Sequence, residues 1–285
     1  MCKIISIINN KGGVAKTTST GIIAQILAYL GKKILVVDLD ESANLSMLLN
    51  AYTADSDAVI NNMAPAPNPH VAELFRYRYR NTEEVETLIY PTSIKNISII
   101  PSSERHGQSQ LYIQNNTGNN NIILRRALNA VKNQYDYILI DNAPAKDILT
   151  VNSMFASDLI LIPVRLEEYS YKGLQETLNT VTYIKEEHEL ENPKIGGVFM
   201  TQAETNTNIY KDLSVQYADT LGTLFCKTCI RKDIKICEIN KSFQPILIYC
   251  PDSNAVYDYF KLIEELNILD STGLVALKSC LGGDQ

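Results

Sequence analysis

One short loop of this 285-residue chain carries the residue types that bind phosphate, namely two adjacent glycines, a lysine on each side of them and two threonines. An apolar run over residues 4–8 predicts a strand before the loop, and the apolar positions between residues 22 and 30 predict a helix after it. Backbone N–H groups of such a loop converge on an anion, and the helix N-terminus adds a partial positive charge. The sequence therefore predicts a phosphate-binding loop, with Lys16 at the β- and γ-phosphates and the Thr17 hydroxyl on Mg²⁺. The alternative is a glycine-rich turn with incidental lysines.

Carboxylates end two further apolar segments that are predicted to be strands. Asp38 and Asp40 close the segment at residues 33–40, and Asp141 closes the segment at residues 135–141. A spacing of two places Asp38 and Asp40 on the same side of their strand. Because ligands of open α/β sheets bind at the carboxyl ends of the strands, we expect these acids beside the phosphate loop. The alternative for Asp38 and Asp40 is that they only cap the next helix.

The loop departs from the pattern G-x-x-x-x-G-K-[ST], because Asn10 and Ala15 stand at its glycine positions, and it keeps K-G-G-x-x-K-T-T. In this form it resembles the deviant Walker A loop of the ParA/MinD family of ATPases, and residues 10–14 are closest to the ParA branch. The resemblance implies that ATP binds here and that Lys11 crosses to the phosphates of a partner subunit, so that the protein forms a homodimer on ATP. The nucleotide-binding residues that it implies are Lys11, Gly12, Gly13, Val14, Ala15, Lys16, Thr17 and Thr18, with Gln202 and Pro251 at the adenine.

Two further segments resemble motifs of the same family. Residues 38–44 resemble D-x-D-P-x-x-N with Glu41 at the proline position, and the residues from Asp141 resemble D-x-P-P with Ala143 at the first proline position. By this resemblance Asp40 orients or deprotonates the attacking water. The resemblance implies Thr17, Asp38 and Asp141 as the residues that hold Mg²⁺, and Lys11, Lys16 and Asp40 as the catalytic residues. Glu41 and Ala143 leave open a second interpretation, a nucleotide-gated binding switch with negligible turnover.

The chain is acidic overall but has one basic segment near its end. It holds 26 basic and 32 acidic residues, a net charge of −6, which argues against a protein that coats nucleic acid by overall charge. Residues 225–247 hold five basic and two acidic residues, and they resemble the stretch that makes non-specific DNA contacts in ParA proteins. The DNA-binding residues that this resemblance implies are Arg231, Lys232, Lys235 and Lys241. The alternative is a solvated basic face.

Two smaller patterns allow more than one interpretation. Residues 75–80 alternate arginine with aromatic residues, Phe-Arg-Tyr-Arg-Tyr-Arg, which can serve nucleic acid. An exposed face whose side-chain stems cover apolar surface is the alternative. Cys226 and Cys229 form one C-x-x-C pair. For this pair metal binding, a redox disulfide and plain packing are all open.

Alternating strand and helix patterns predict a single α/β domain with a mostly parallel sheet and helices on both faces. The resemblance makes this a P-loop nucleoside triphosphatase fold over residues 1–266, with an edge strand at residues 245–251 and a closing helix at residues 255–266. Residues 267–285 are predicted to form a C-terminal tail. No long apolar run is present, so we expect neither a signal peptide nor a membrane-spanning helix.

The motifs and the resemblance together predict a Mg²⁺-dependent ATPase that dimerises on ATP, binds DNA non-specifically and drives plasmid or chromosome partitioning. A ParB-like centromere-binding protein is the implied partner, and the implied location is the cytoplasm, in association with the nucleoid. The alternative of a MinD-like positioning ATPase needs a basic amphipathic helix at the membrane. The tail has one lysine, Lys278, and therefore predicts weak membrane binding at best.

Overall fold

A seven-stranded sheet forms the centre of the computed structural model, which describes residues 2–49, 69–102, 109–114, 119–165, 170–236, 238 and 246–281. The strands are β1 (Lys3–Ile7), β2 (Ile34–Leu39), β3 (Tyr90–Pro91), β4 (Ile97–Ile100), β5 (Tyr137–Asn142), β6 (Leu159–Arg165) and β7 (Lys194–Thr201). Their order across the sheet is β3-β4-β2-β5-β1-β6-β7, and every neighbouring pair is parallel except β3 with β4. The predicted α/β fold with a mostly parallel sheet is confirmed.

Helices cover both faces of this sheet. They are α1 (Lys16–Tyr29), α2 (Asn44–Leu48), α3 (Val71–Tyr77), α4 (Thr82–Glu86), α5 (Ser109–Gln114), α6 (Ile123–Val131), α7 (Ile148–Ala156), α8 (Ser170–Glu187), α9 (Asn208–Leu221), α10 (Ile246–Tyr249), α11 (Asn254–Glu265) and α12 (Ser271–Leu281). Short 3₁₀ turns occupy Asn120–Ile122, Lys132–Gln134 and Gly222–Leu224. One apolar core lies between the sheet and α1, α11 and α12, and a second lies between the opposite face and α3 and α6.

The residues of β2 show why the central strands read as continuous apolar runs. Every residue from Ile34 to Leu39 is buried. Ile34 and Val36 belong to the core under α1, whereas Leu35 and Val37 belong to the core under α3 and α6. A parallel strand covered on both faces has no solvent side, so the polar–apolar alternation of a half-exposed strand is missing. The charged residue of β2, Asp38, accordingly lies near the carboxyl end of the strand.

The predicted edge strand at residues 245–251 is wrong. Within it the structure describes residues 246–251, and Ile246–Tyr249 form the short helix α10. The Ile246 backbone N–H donates to Gln25 Oε1 of α1 over 2.7 Å, so a helix terminus is capped by a side chain from another element. A short apolar run does not distinguish a strand from a buried helical turn, and here packing on α1 selected the turn.

The segment that follows α11 is attached to the first strand. The carbonyl oxygen of Ile268 accepts hydrogen bonds from Lys3 Nζ and Tyr137 Oη, each over 2.9 Å. Asp270 forms an ion pair with Lys32 at 2.7 Å, and Leu277 of α12 is fully buried. Residues 267–281 therefore pack on the domain, while the predicted boundary at residue 266 stays a prediction. Among the described residues, no helix combines the length and the apolar character needed to cross a membrane.

Gly197 of β7 allows a close approach that a larger residue would prevent. A Cβ atom at this position would lie 2.7 Å from both Cys226 Sγ and Leu266 Cδ2. We expect Gly197→Ala to lower the free energy of unfolding by about 1–3 kcal/mol, because neighbouring buried groups must shift. Thermal or urea unfolding would measure this loss. Adding Cys226→Ala should recover part of it, and a double variant no more stable than Gly197→Ala would contradict the proposed clash.

Candidate functional site

The phosphate-loop candidate lies where predicted, between the carboxyl end of β1 and the N-terminus of α1. Gly13 and Ala15 have left-handed backbone conformations, with φ of 73° and 63°. For Gly13 this conformation costs little, whereas Ala15 is a non-glycine residue held in a conformation that L-residues avoid. These two turns direct the chain into α1. The positive end of the α1 dipole therefore lies at the loop.

Lys16 is buried at the base of this loop. Its Nζ donates a hydrogen bond to the carbonyl oxygen of Lys11 over 3.0 Å. Burial lowers the pKa of the Lys16 ammonium, and the nearby carboxylates of Asp141 and Asp40 oppose that shift. The ammonium is thus held within the loop, between its backbone and the acidic strand ends.

Asn9 and Thr201 support the loop, and both were missed by the sequence analysis. Asn9 donates to the carbonyl oxygen of Pro163 over 2.8 Å and accepts from the Lys11 N–H over 2.9 Å. Thr201 donates to the carbonyl oxygen of Val14 over 3.1 Å. The position of Asn9, two residues before Lys11, was a local signal for its contact with the Lys11 N–H. No local signal connects Thr201 to the loop.

Gln202, predicted from the resemblance, contacts the same loop. Its Nε2 donates to the carbonyl oxygen of Gly13 over 2.9 Å, and its own φ is 53°. Pro251 lies in the exposed turn between α10 and α11. The adenine-binding roles of Gln202 and Pro251 stay predictions.

Asp38 and Asp141 meet side by side in the sheet. They are register partners across β2 and β5, and both are fully buried. Asp38 Oδ2 accepts from the backbone N–H of Ser46 over 2.9 Å and from its hydroxyl over 2.7 Å. Asp141 Oδ1 accepts from the hydroxyl of Thr20 over 3.3 Å, and Thr17 also donates to this carboxylate. The rule that ligands of open α/β sheets bind at the carboxyl ends of the strands predicted both acids at this edge, but nothing local predicted Ser46 or Thr20.

The two carboxylates disfavour each other's charge. Burial first, and the other acids second, raise the pKa of Asp141 to about 8. Burial raises the pKa of Asp38 to about 6, although the hydrogen bonds from Ser46 oppose the change. Among the described residues Asp141 Oδ2 has no hydrogen-bond partner. Paired buried carboxylates with an open oxygen, beside a threonine hydroxyl, form the oxygen donor set that suits Mg²⁺, so Thr17, Asp38 and Asp141 fit the predicted metal role.

Asp40 lies in the turn that follows β2. Its Oδ1 accepts from the Ser42 N–H over 2.9 Å and from the Ser42 hydroxyl over 2.7 Å. Asn44 donates to the Ser42 oxygen over 2.9 Å, so its amide links Asn44 to the same turn. Glu41 is exposed, whereas Asp40 is partly buried beside the loop. Asp40 is therefore held in place while keeping access to solvent.

Two of the four predicted DNA-binding residues are bound to carboxylates. The Arg231 guanidinium binds the Asp258 carboxylate, with Nη2 at 2.7 Å and Nε at 2.8 Å from its oxygens. Lys232 forms an ion pair with Glu204 at 2.6 Å. Lys235 is exposed, and Lys241 lies outside the described residues. The DNA-binding role of these four residues stays a prediction.

Cys226 is buried in the apolar core under α1, and Cys229 is partly buried against another apolar cluster, which agrees with the packing interpretation of this pair. Burial raises the pKa of the Cys226 thiol to about 12. At neutral pH this sulfur therefore stays protonated, and a protonated thiol is a poor metal ligand and nucleophile.

Comparisons with known proteins show the family to which this chain belongs. Residues 2–195 match the AAA_31 family, described as an AAA domain. The chain is 32% identical over 270 residues to the sporulation initiation inhibitor protein Soj of Bacillus subtilis, covering 93% of this chain and 98% of Soj. It is 26% identical over 266 residues to the chromosome partitioning protein ParA of Myxococcus xanthus, covering 93% and 87%. The septum site-determining protein MinD of Pyrococcus horikoshii, complexed with Mg-ADP, superposes with a TM-score of 0.72 at 24% identity, covering 96% and 99%.

The fold, the lysine-containing loop and the paired carboxylates define the class of P-loop ATPases. Within that class the chain belongs to the AAA domain family, as a ParA/MinD-type ATPase related to Soj over nearly its whole length.

Proposed function

We propose that this protein is a Mg²⁺-dependent partition ATPase. Its ATP-bound dimer binds DNA without sequence preference in the cytoplasm, at the nucleoid, and moves a plasmid or chromosome with a ParB-like centromere-binding partner. The observation that carries the ATPase part is the convergence of buried Lys16 with Asp38 and Asp141 at the carboxyl ends of three neighbouring strands. The name of the chromosome partitioning protein ParA of Myxococcus xanthus, which matches along nearly the whole chain, supports the partition role.

Each residue of the site has a task that its surroundings allow. The backbone of residues 12–17 and the Lys16 ammonium bind the phosphates, because they present N–H donors and positive charge at a helix N-terminus. Thr17, Asp38 and Asp141 would hold Mg²⁺, which supplies charge neutralisation at the β- and γ-phosphates when bound. Asp40 orients the attacking water and accepts its proton. Lys11 of a second copy completes the positive charge at the γ-phosphate, which makes hydrolysis depend on dimerisation.

Asp40→Asn tests the hydrolytic role directly. We expect single-turnover hydrolysis to slow by about 100-fold or more, because the amide cannot accept the proton, while ATP affinity stays close to that of the wild type. Because the variant stays bound to ATP, it should also remain longer on duplex DNA than the wild type. Quenched-flow measurement of ADP formation with excess protein, and DNA retention in ATP against ADP, would measure both effects.

Glu41→Gln is the matched control, because Glu41 is the exposed carboxylate next to Asp40. This variant should hydrolyse ATP at least as fast as the wild type. Wild-type turnover near zero that Asp40→Asn leaves unchanged would instead support the nucleotide-gated switch. Equal DNA retention in all nucleotide states would contradict the ATP-dependent DNA role.

A further inference from the structure

Four arginines lie together on the face of the sheet opposite α1 and α11. Arg76, near the end of α3, and Arg78 and Arg80, just after it, come from one segment, and Arg126 comes from the first turn of α6. Arg78, Arg80 and Arg126 line a common cleft with Tyr79 and Ile123. We call Arg76, Arg78, Arg80 and Arg126 the arginine surface. The cleft therefore brings together Arg78 and Arg80 with Arg126, which lies more than forty residues further along the chain.

Aromatic rings near the arginine surface contact one of its members, Arg76. The Arg76 guanidinium lies 4.9 Å from the centre of the Tyr77 ring and 5.6 Å from that of Tyr112. Tyr77 also stacks on Tyr79, with ring centres 6.0 Å apart and an interplanar angle of 16°. A nucleic-acid base would have to compete with these contacts for the Tyr77 ring. The arrangement therefore favours contacts to phosphate over stacking with bases.

The charge of the arginine surface is only partly balanced by nearby acids. Glu73 lies 3.9 Å from Arg76. Glu84 accepts the backbone N–H groups of Arg80 and Asn81 over 3.0 and 3.4 Å, and Glu86 accepts from Gln134. Glu83, on the same short helix, is exposed. No carboxylate lines the cleft, and within the described ranges Arg80 and Arg126 form no ion pair.

In residues 225–247, the segment that the resemblance implies as DNA-binding, two basic residues are paired with acids. Arg231 is bound by Asp258, whose side chain is only 10% exposed, and Lys232 is paired with Glu204. Releasing Arg231 to DNA would leave the buried Asp258 carboxylate without its cation, which costs free energy. Arg80 and Arg126, which form no ion pair among the described residues, can bind phosphate without breaking such contacts. A guanidinium can also bind two phosphate oxygens at once.

We propose that the arginine surface binds the phosphodiester backbone of duplex DNA. Such contacts position a protein on DNA without reading its sequence, so no base-reading element is required. The inference deepens the proposed function, because it rests on the DNA-binding part of that function and names the surface responsible. Since the surface lies within one subunit, an ATP-bound dimer would present two copies of it, and two linked contacts bind one polymer more tightly than one.

The test compares variants in a salt series with a short duplex of arbitrary sequence. The full chain with Arg80→Gln and Arg126→Gln should bind about tenfold more weakly at low salt. The slope of log affinity against log salt should fall by about 1 for each arginine removed. ATP hydrolysis and the melting temperature should stay at wild-type values, because neither side chain touches the nucleotide site. Arg80→Lys with Arg126→Lys keeps the charge and should keep most of the binding and the slope.

Lys211→Gln with Lys278→Gln is the matched control, since both lysines are exposed, lie on other helices and carry the same total charge. A loss as large in this control, or a glutamine variant of the arginine surface that binds duplex DNA like the wild type, would overturn the inference. The latter result would favour an acidic protein partner for the arginines. The proposed function is judged separately, by whether the wild type hydrolyses ATP and binds DNA in a nucleotide-dependent way. A wild type that binds no DNA in any state overturns the inference as well.

Discussion

Lys16→Ala is expected to reduce the rate of ATP hydrolysis by about 100- to 1,000-fold, the effect of removing one preorganised charge at a developing anion. Lys16 is buried and donates to the Lys11 carbonyl oxygen over 3.0 Å, so water cannot easily replace its ammonium. The folded state should not be destabilised strongly, because burial already disfavours the Lys16 charge. Steady-state hydrolysis and the melting temperature would be measured together. Lys33→Ala, an exposed lysine before β2, is the control, and an equal loss there would contradict the assignment.

Lys16→Ala also tests whether Lys11 acts in the nucleotide site of its own chain or in that of the partner subunit. If Lys11 serves the partner subunit, a mixed dimer of Lys11→Ala and Lys16→Ala chains contains one complete site. Mixing the two inactive proteins should then restore about a quarter of wild-type activity, since half of the dimers are mixed and each has one working site. No recovery in the mixture would place Lys11 in the site of its own chain.

Asp141→Asn is expected to abolish hydrolysis while raising the melting temperature of the nucleotide-free protein by about 3 °C or more. The folded state holds Asp141 with a pKa near 8, well above its ordinary value of 3.8. The folded protein therefore binds a proton that the unfolded chain releases, and its stability falls as the pH rises between about 4 and 8. The amide carries no charge, so the variant should lose most of that pH dependence.

Melting curves at a series of pH values without nucleotide would measure this effect, and ATP hydrolysis would confirm the loss of function. Asp212→Asn, on the exposed side of α9, provides the control because its carboxylate lies in solvent. This control should keep both the hydrolysis rate and the pH dependence of the wild type. A melting temperature that falls in Asp141→Asn would show that the carboxylate stabilises the empty site.

The phosphate loop and the acidic strand ends could be predicted because their chemistry is encoded over a few neighbouring residues. Lys11, Lys16 and Thr17 lie within seven positions of each other in the sequence. Asp38 and Asp141 are far apart along the chain, but the rule that parallel strands end at one edge connects them. Ser46, which donates twice to Asp38, is missed because its role depends on how the chain turns after β2.

Other parts of the structure depend on contacts that no local pattern contains. The strand predicted at residues 245–251 failed because α10 is selected by Gln25, more than two hundred residues earlier. Arg231 looks like a free cation in sequence, but Asp258 binds it from α11. Arg126 looks like an ordinary polar position of an amphipathic helix, although it shares a cleft with Arg78 and Arg80. In each case a tertiary contact decides what the side chain can do.

The attachment of Ile268 to Lys3 and Tyr137 bears on how this protein is made. The bond from Lys3 joins residues 265 positions apart, so it cannot form during synthesis until the chain beyond Ile268 has left the ribosome. Contacts between such distant residues are also slow to form, because a long segment must be closed first. The amino end of β1, the strand that leads into the phosphate loop, therefore gains these contacts only when translation of the domain is nearly complete. A nascent chain should consequently acquire nucleotide binding late, and an arrested chain that ends before residue 268 should hold its central strand less firmly.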